Sequence, residues 1–173
     1  DVLDAFALAA QQKGIPATPD FNRGDNAGVA YFEVNQRKGW RWNASKAFLN
    51  PVKRRPNLVI RTETQVEKLA LEKTPQGLWR CAGAWVVDQR AGRRYAVAAK
   101  SSLILSAGSI GSVQLLECSG IGDPAVLHKA GVTPVVNLPG VGANLQDHLQ
   151  IRAVFSVKGV KTTWGSPAFK EQV

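Results

Sequence analysis

The stretch SLILSAGSIGSVQLLECSGIG, residues 102–122, decides the fold. It opens with four mostly apolar residues, 102–105, which is typical of a short strand buried in a parallel sheet. Ser106-Ala107-Gly108 then leads into a predicted helix over about residues 110–118, whose apolar side chains recur at helical spacing. A strand that passes through Ala-Gly into a helix predicts a doubly wound α/β arrangement.

The N-terminus of that helix is a candidate anion site. Its unpaired N–H groups and its positive dipole end suit phosphate, and Gly108 allows a ligand to approach the backbone closely. A glycine at such a junction can equally serve packing alone, so the residues leave both interpretations open. The chain contains no G-x-G-x-x-G, and the dinucleotide fingerprint is therefore missing from it.

The remaining pattern predicts short elements on both sides of this stretch. Three strands form an antiparallel meander, joined by turn-like sequences at 74–77 and 89–94. A second helix should follow Asp123, the expected N-cap, with Pro124 at its first position. Helices are predicted at 3–12 and 45–49, and the meander strands at 66–71, 78–87 and 95–99. Further strands are predicted at 29–34, at 58–60 from a short apolar run, and at 149–157 from alternating residues; residues 135–136 should be extended.

Composition places the chain among ordinary folded proteins. Its 173 residues suit one domain or slightly more, and 45% hydrophobic with 20% charged residues argues against wholesale disorder. No apolar run reaches the roughly 18 residues of a membrane span. The formal net charge is +9, densest over residues 37–55, where basic and aromatic residues alternate. Such a stretch can bind single-stranded nucleic acid, but no nucleic-acid motif is present, so we expect a solvated face or a phosphate-cofactor pocket instead.

Few side chains could carry chemistry of their own. Cys81 and Cys118 are far apart, with no C-x-x-C, so we expect two reduced thiols in a reducing compartment and no metal site. His128 is predicted on a helix surface. Asp147 and His148 are neighbours, and neighbouring side chains point to opposite faces of a strand, so the spacing favours a structural role over a catalytic pair.

Residues 106–122 closely resemble the second signature of the glucose–methanol–choline (GMC) oxidoreductases, with Ala-Gly, Leu-Leu and Ser-Gly-Ile-Gly at the family's spacing. Val113 stands where proline is usual. Residues 123–150 resemble the family's continuation, including Leu-Pro-Gly-Val-Gly and Asn-Leu-Gln-Asp-His. Upstream, Pro-Asp-Phe-Asn at 19–22 is followed by Arg23 where glycine is usual. The resemblance is nearest to the bacterial choline dehydrogenase and alcohol dehydrogenase branch.

The resemblance implies a mixed α/β fold taken from the centre of a longer enzyme. Residues 1–147 would form the central part of a Rossmann-like FAD-binding domain, with a small antiparallel meander at about 66–99. Residues 148–173 would start a substrate-binding domain built on an antiparallel sheet. Family members bind FAD and oxidise alcohols by hydride transfer to the flavin. The longer parent would then oxidise a primary alcohol, choline-like or other, to an aldehyde, in the cytoplasm or in association with a membrane.

The resemblance also carries over site residues. Val66 matches a position whose backbone meets the adenine of FAD, and Ala107 and Gly108 match the turn beside the cofactor. His148 and Gln150 match a segment near the substrate pocket. The catalytic His and its His or Asn partner match nothing here and are expected C-terminal to this chain. The chain alone is therefore expected to be inactive, and its electron acceptor is not identified.

Two other functions stay open. The same family includes hydroxynitrile lyases, which keep FAD without net redox chemistry. A non-catalytic, truncated binding module with a basic face is the other alternative. In either case, a doubly wound sheet without its first strand and helix would leave apolar surface uncovered, so we expect the isolated chain to be poorly stable or to associate.

Overall fold

The computed structural model describes residues 2–159. These residues form two compact units. One unit comprises residues 2–54 and 150–159, and the other comprises residues 55–149.

The first unit begins with helix α1, Val2–Gln12, as the apolar spacing predicts. Its N-terminal part is tied to a later segment, because the hydroxyl of Tyr31 donates a 2.5 Å hydrogen bond to Oδ1 of Asp4. The strand predicted over residues 29–34 is wrong. Val29 makes one isolated parallel bridge to Ala17, and residues 30–34 pair with no strand in the described part of the chain.

A tight hairpin and one helical turn follow. Strands β1, Gln36–Arg37, and β2, Trp40–Arg41, pair antiparallel through a two-residue turn. Lys38 and Gly39 have φ values of +52° and +80°, and left-handed conformation at both turn residues defines the type I′ hairpin. A π-helix over Ser45–Leu49 then matches the short helix predicted there.

The second unit contains the predicted meander. Strands β3, Thr64–Lys73, β4, Trp79–Asp88, and β5, Arg93–Ala98, form a three-stranded antiparallel sheet in that order. A Cβ at position 83 would lie 2.0 Å from the carbonyl oxygen of Val97, so only glycine lets β4 and β5 approach this closely. The buried side chains of the sheet are Leu69, Ala84 and Val86.

Two helices and a short parallel pair of strands follow the sheet within the second unit. Helix α2 spans Gly108–Cys118, strand β6 spans Ile121–Gly122, helix α3 spans Pro124–Lys129, and strand β7, Val136–Asn137, pairs parallel with β6. Asp123 caps α3 as predicted, because its Oδ1 accepts a 2.8 Å hydrogen bond from the N–H of Ala125. Leu127, with 1% of its surface exposed, is the most deeply buried large side chain among the described residues.

The mixed α/β fold class and the meander are confirmed, but three other strand predictions are wrong. Residues 58–60, 102–105 and 149–157 lie in no strand. The runs at 58–60 and 102–105 have the composition of central parallel strands, and 149–157 alternates as a half-buried strand does. A strand exists, however, only where a neighbouring strand pairs with it. Within the described residues, none of these three runs has such a neighbour. Ile110, one of the apolar residues at helical spacing in α2, is 75% exposed.

Candidate functional site

The turn that opens α2 is accessible at its N-terminal end. Gly108 adopts φ +83°, and no atom lies within 4 Å of the position that a Cβ would occupy. Ala107 and Gly108 are exposed, and no side chain caps the helix at Ala107. The N–H of Ala107 donates a 3.1 Å hydrogen bond to Oγ of Ser112. The first turn of α2 therefore presents its N–H groups and its positive dipole end to a ligand.

Val66 lies on β3, which is an edge strand of the meander. Val66 pairs with Val86 on β4. At Glu63, three residues before Val66, the carbonyl accepts a hydrogen bond from the N–H of Gln89. Hydrogen-bonded and non-hydrogen-bonded pairs alternate along an antiparallel ladder, so the pair of Val66 with Val86 is a non-hydrogen-bonded one. The backbone N–H and C=O of Val66 therefore point away from β4, towards the open edge.

A side-chain contact supports that orientation. The carbonyl of Val66 accepts a 3.1 Å hydrogen bond from the side-chain amide of Gln65 rather than from β4. A β-bulge follows at once, between Val66 and Lys68. Arg94 on β5 fixes this bulge, because its Nη2 donates a 2.7 Å hydrogen bond to Oε1 of Glu67. That hydrogen bond and the charge of Glu67 raise the pKa of Arg94.

Ser119 connects helix α2 to strand β3. Its Oγ accepts a 2.8 Å hydrogen bond from the N–H of Leu69 and donates a 2.5 Å hydrogen bond to the carbonyl of Leu115. The C-terminal end of α2 is thus attached to the open edge of β3, three residues beyond Val66. Ala107 and Gly108 lie at the opposite end of α2, about 16 Å away along a helix of this length.

A groove of about 570 Å³ runs along the exposed side of α2. The helix contributes the positions that recur every turn on one face, and the segment 142–146 forms the opposite wall. Gly142 approaches the helix so closely that a Cβ there would lie 3.0 Å from Oε1 of Glu117 and 3.2 Å from Cγ1 of Val113. The lining residues combine apolar side chains with amides and a carboxylate: Ser109, Ile110, Val113, Gln114, Glu117, Gly142, Ala143, Asn144, Leu145 and Gln146.

His148 and Gln150 are exposed and lie in no strand. The carboxylate of Asp147 accepts a 2.8 Å hydrogen bond from the backbone N–H of His148. The recorded Asp147 contact is thus to the backbone, which gives no support to an Asp–His catalytic pair. His128 is exposed on α3, where the sequence predicts it. The two pocket assignments remain predictions, because they rest on the family resemblance.

All three expected cofactor contacts therefore belong to the second unit. Val66, Ala107 and Gly108 all lie within residues 55–149 and are connected through α2 and Ser119. Sequence reasoning missed Ser119 and the groove wall at 142–146. The signals were present in the sequence, since Ser119 opens Ser-Gly-Ile-Gly and Asn144 opens Asn-Leu-Gln-Asp-His. Their roles depend on contacts with residues far along the chain, which a local pattern does not reveal.

Residues 2–159 contain neither a cluster of metal ligands nor a membrane-spanning helix. No group of three or more His, Cys, Asp or Glu side chains there could hold a metal ion. Among the same residues, each helix is too short or too polar to cross a bilayer. Cys81 is part-buried, Cys118 is exposed, and both are free thiols.

Comparison with known proteins agrees with the resemblance. The family model described as GMC oxidoreductase matches residues 2–150. The oxygen-dependent choline dehydrogenase of Vibrio vulnificus is 43% identical over 85% of this chain and 25% of its own length. The mitochondrial choline dehydrogenase of Homo sapiens is 41% identical over 85% of this chain and 24% of its own length. The alcohol dehydrogenase [acceptor] of Pseudomonas putida is 35% identical over 85% of this chain and 26% of its own length.

Two solved structures of oxidoreductases are also similar to this chain. Pyridoxine 4-oxidase from Mesorbium loti superposes with a TM-score of 0.68 at 35% identity, over 79% of this chain and 26% of the other. An FAD-dependent oxidoreductase from Chaetomium thermophilum gives 0.67 at 26% identity, over 79% of this chain and 23% of the other. The chain thus spans about a quarter of the length of the proteins it matches. Because the family model covers nearly all of the described residues, the chain belongs to the GMC oxidoreductase family.

Proposed function

We propose that this chain supplies the central part of the FAD-binding region of an enzyme that oxidises a primary alcohol, choline-like or other, to an aldehyde. Bound FAD would supply the hydride acceptor, and the protein would position the cofactor and the alcohol. The observation that carries the proposal is the match of residues 2–150 to the family, together with the open, uncapped turn at Gly108.

Two features of the described residues suit an FAD molecule: the N-terminus of α2 and the open edge of β3. The N-terminus of α2 offers N–H donors and a positive dipole end at an exposed glycine, which suits an anionic group of the cofactor. The open edge of β3 offers the N–H and C=O of Val66, the donor–acceptor pair that an adenine edge requires. We therefore assign Val66, Ala107 and Gly108 to FAD.

The substrate contacts are proposed from the family match. We propose that His148 and Gln150 lie near the alcohol, because they match a segment near the substrate pocket in the family whose model matches residues 2–150. We assign no proton-accepting base to this chain, because the family's catalytic His and its His or Asn partner match no position in it. The base is proposed to come from a C-terminal segment. The proposed boundary between the FAD-binding and substrate-binding regions is residue 148.

The names of the relatives favour oxidation over the lyase alternative, since they are choline dehydrogenases, an alcohol dehydrogenase and an oxidase. The electron acceptor is not assigned. We propose a cytoplasmic location for the longer parent, or its association with a membrane.

One pair of substitutions tests the FAD assignment. Gly108→Ala and Gly77→Ala each place a Cβ on a glycine with φ near +80° and open space around it, so both carry the same backbone strain of about 1 kcal/mol. We expect Gly108→Ala to weaken FAD binding about ten-fold or more, measured by titration of flavin fluorescence, because the turn changes shape. Gly77→Ala, in the β3–β4 turn, should leave the affinity unchanged. Equal affinities for both variants would remove Gly108 from the cofactor site.

A second experiment tests the reaction. The isolated 173-residue chain should reduce no artificial electron acceptor in the presence of choline or other primary alcohols, even with added FAD. A protein that extends this chain to the full length of its relatives should do so. Release of cyanide from cyanohydrins without dye reduction by the longer protein would favour the lyase instead. Alcohol turnover by the isolated chain would show that its base lies within it.

A further inference from the structure

Every charged side chain between Glu33 and Glu63 is positive, in a stretch that begins in the first unit and extends into the second. Between Glu33 and Glu63 the sequence contains no acidic residue. The same interval contains eight cations: Arg37, Lys38, Arg41, Lys46, Lys53, Arg54, Arg55 and Arg61. Such a field attracts an anionic partner over about a Debye length.

The β1–β2 hairpin arranges part of this charge on one face. Arg37 and Trp40 are directly paired across the two strands, and Trp42 follows two residues later on the same side. The guanidinium of Arg37 lies over the Trp42 ring at 5.3 Å, and the ammonium of Lys46 lies over the Trp40 ring at 6.0 Å. We call these four residues, together with the turn residue Lys38, the hairpin surface.

Backbone conformation and hydrogen bonds define the hairpin surface, and most of it is exposed. Its turn is fixed by the left-handed conformations of Lys38 and Gly39, and the N–H of Trp42 donates a 2.9 Å hydrogen bond to the carbonyl of Asn35. Lys46 is held against the hairpin, because its Nζ donates a 3.2 Å hydrogen bond to the carbonyl of Arg41. Trp40 is 65% exposed.

The cations of the hairpin surface are not neutralised within the described part of the chain. The ion pairs found there join Arg80, Arg90 and Arg94 to glutamates of the second unit. The positive charge beside Trp40 and Trp42 is therefore available to an external anion.

We propose that the hairpin surface binds the headgroup region of an anionic lipid bilayer. Indole rings beside lysine and arginine suit that region, because the ring enters the interface while the cations contact phosphate. Single-stranded nucleic acid would need open ring faces on which bases stack. Here a cation covers one face of each ring, which favours the bilayer.

Vesicle sedimentation tests this proposal with the full 173-residue chain. We expect the chain to pellet with vesicles of phosphatidylglycerol and phosphatidylcholine, to remain in the supernatant with phosphatidylcholine alone, and to dissociate as salt is raised. The triple variant R37Q/K38Q/K46Q should bind the anionic vesicles about 100-fold more weakly, since each cation near such a surface contributes about five-fold.

The matched control is K13Q/K100Q/K129Q, which removes the same charge from exposed positions outside the hairpin surface. It should weaken binding by less than about three-fold. Trp40→Ala should weaken binding to anionic vesicles, and Trp40→Phe should restore most of it, which separates ring insertion from charge alone. Far-UV circular dichroism identifies any variant that has lost its sheet, and for such a variant Lys38→Gln, at the exposed turn, takes its place.

Three results would overturn the proposal. The first is no binding to anionic vesicles at low salt. The second is equal loss of binding in the two triple variants. The third is tighter binding to a single-stranded oligonucleotide than to the vesicles, which would assign the hairpin surface to nucleic acid.

Discussion

The backbone N–H of Leu69 donates a 2.8 Å hydrogen bond to the side-chain oxygen of Ser119, fifty residues further along the chain. The same hydroxyl donates to the carbonyl of Leu115, so one side chain both ends α2 and attaches it to β3. Val66 on the strand and Gly108 on the helix belong to elements that this contact connects. The distance between the two proposed FAD contacts therefore depends on Ser119.

Ser119→Ala should destabilise the chain by about 1–3 kcal/mol, because it leaves the N–H of Leu69 without its partner at a position where Ser119 itself is only 9% exposed. Thermal unfolding followed by circular dichroism measures the change. Ser102→Ala, at an exposed position, serves as control and should stay within about 0.5 kcal/mol of wild type. Equal melting temperatures for both variants would show that the hydrogen bond contributes nothing net.

Gly83→Ala should disrupt the pairing of β4 with β5. The added Cβ would lie 2.0 Å from the carbonyl oxygen of Val97, and a backbone atom cannot move aside as a flexible side chain can. We expect a loss of about 3 kcal/mol or more, at the upper end of overpacking effects. Gly92→Ala, in the β4–β5 turn with open space around it, is the control. Retention of wild-type stability by Gly83→Ala would mean that β5 is not paired there.

Leu127→Ala should cost about 2–5 kcal/mol, since this side chain of α3 is almost fully buried and its removal leaves a cavity. Val126→Ala changes the neighbouring residue of the same helix, which is 50% exposed, and should cost far less. Urea unfolding of both variants gives the comparison. Similar midpoints would indicate that α3 is not packed as described.

The contact between Asp4 and Tyr31 predicts a pH dependence in the first unit. The Tyr31 hydroxyl lowers the pKa of Asp4 below its usual 3.8, and the same hydrogen bond raises the pKa of Tyr31 above its usual 10.0. The contribution of Asp4 to stability is thus present above pH 3.8 and is lost as the pH falls through its lowered pKa. That of Tyr31 is present below pH 10.0 and is lost as the pH rises through its raised pKa.

Tyr31→Phe checks this contact directly. The carboxyl of Asp4, followed by nuclear magnetic resonance, should titrate at a higher pH in the variant than in the wild type, closer to 3.8. An unchanged midpoint would show that the hydroxyl does not reach the carboxylate in solution.

The isolated chain should associate or melt at low temperature. Several large apolar side chains are almost fully exposed, among them Ile104, Leu149, Ile151 and Val154. Exposed apolar surface of this kind is a common cause of association in proteins. Size-exclusion chromatography with light scattering should report a mass above that of one chain, rising with concentration. A monomer with a cooperative melt above the usual range of mesophilic domains would contradict this.

Local signals in the sequence predict some of these elements well. The bounds of α3 follow from Asp123, Pro124 and Gly131, because capping depends on neighbouring residues. The meander follows from the turn at 74–77, because a hairpin pairs residues that are close along the chain. The opening of α2 at Gly108 follows from Ala-Gly before an apolar helical repeat.

Other features depend on distant contacts and escape such signals. The run at 102–105 has the composition of a buried strand, but its pairing requires a neighbouring strand, and none is present among residues 2–159. The outward backbone of Val66 depends on which edge of the sheet is free. The partner of Ser119 lies fifty residues away, so its role in the site becomes visible only in the fold.

The parallel pair β6–β7 has a consequence for the order of folding. Ile121 faces Val136 across this pair, so the chain closes a loop of only fifteen residues around α3. Loop-closure entropy grows with length, and contacts close in sequence form faster than distant ones. We therefore expect the segment 121–137 to form before Ser119 attaches α2 to β3 across fifty residues. The spacing between Val66 and the turn at Ala107 and Gly108 would then be set late in folding.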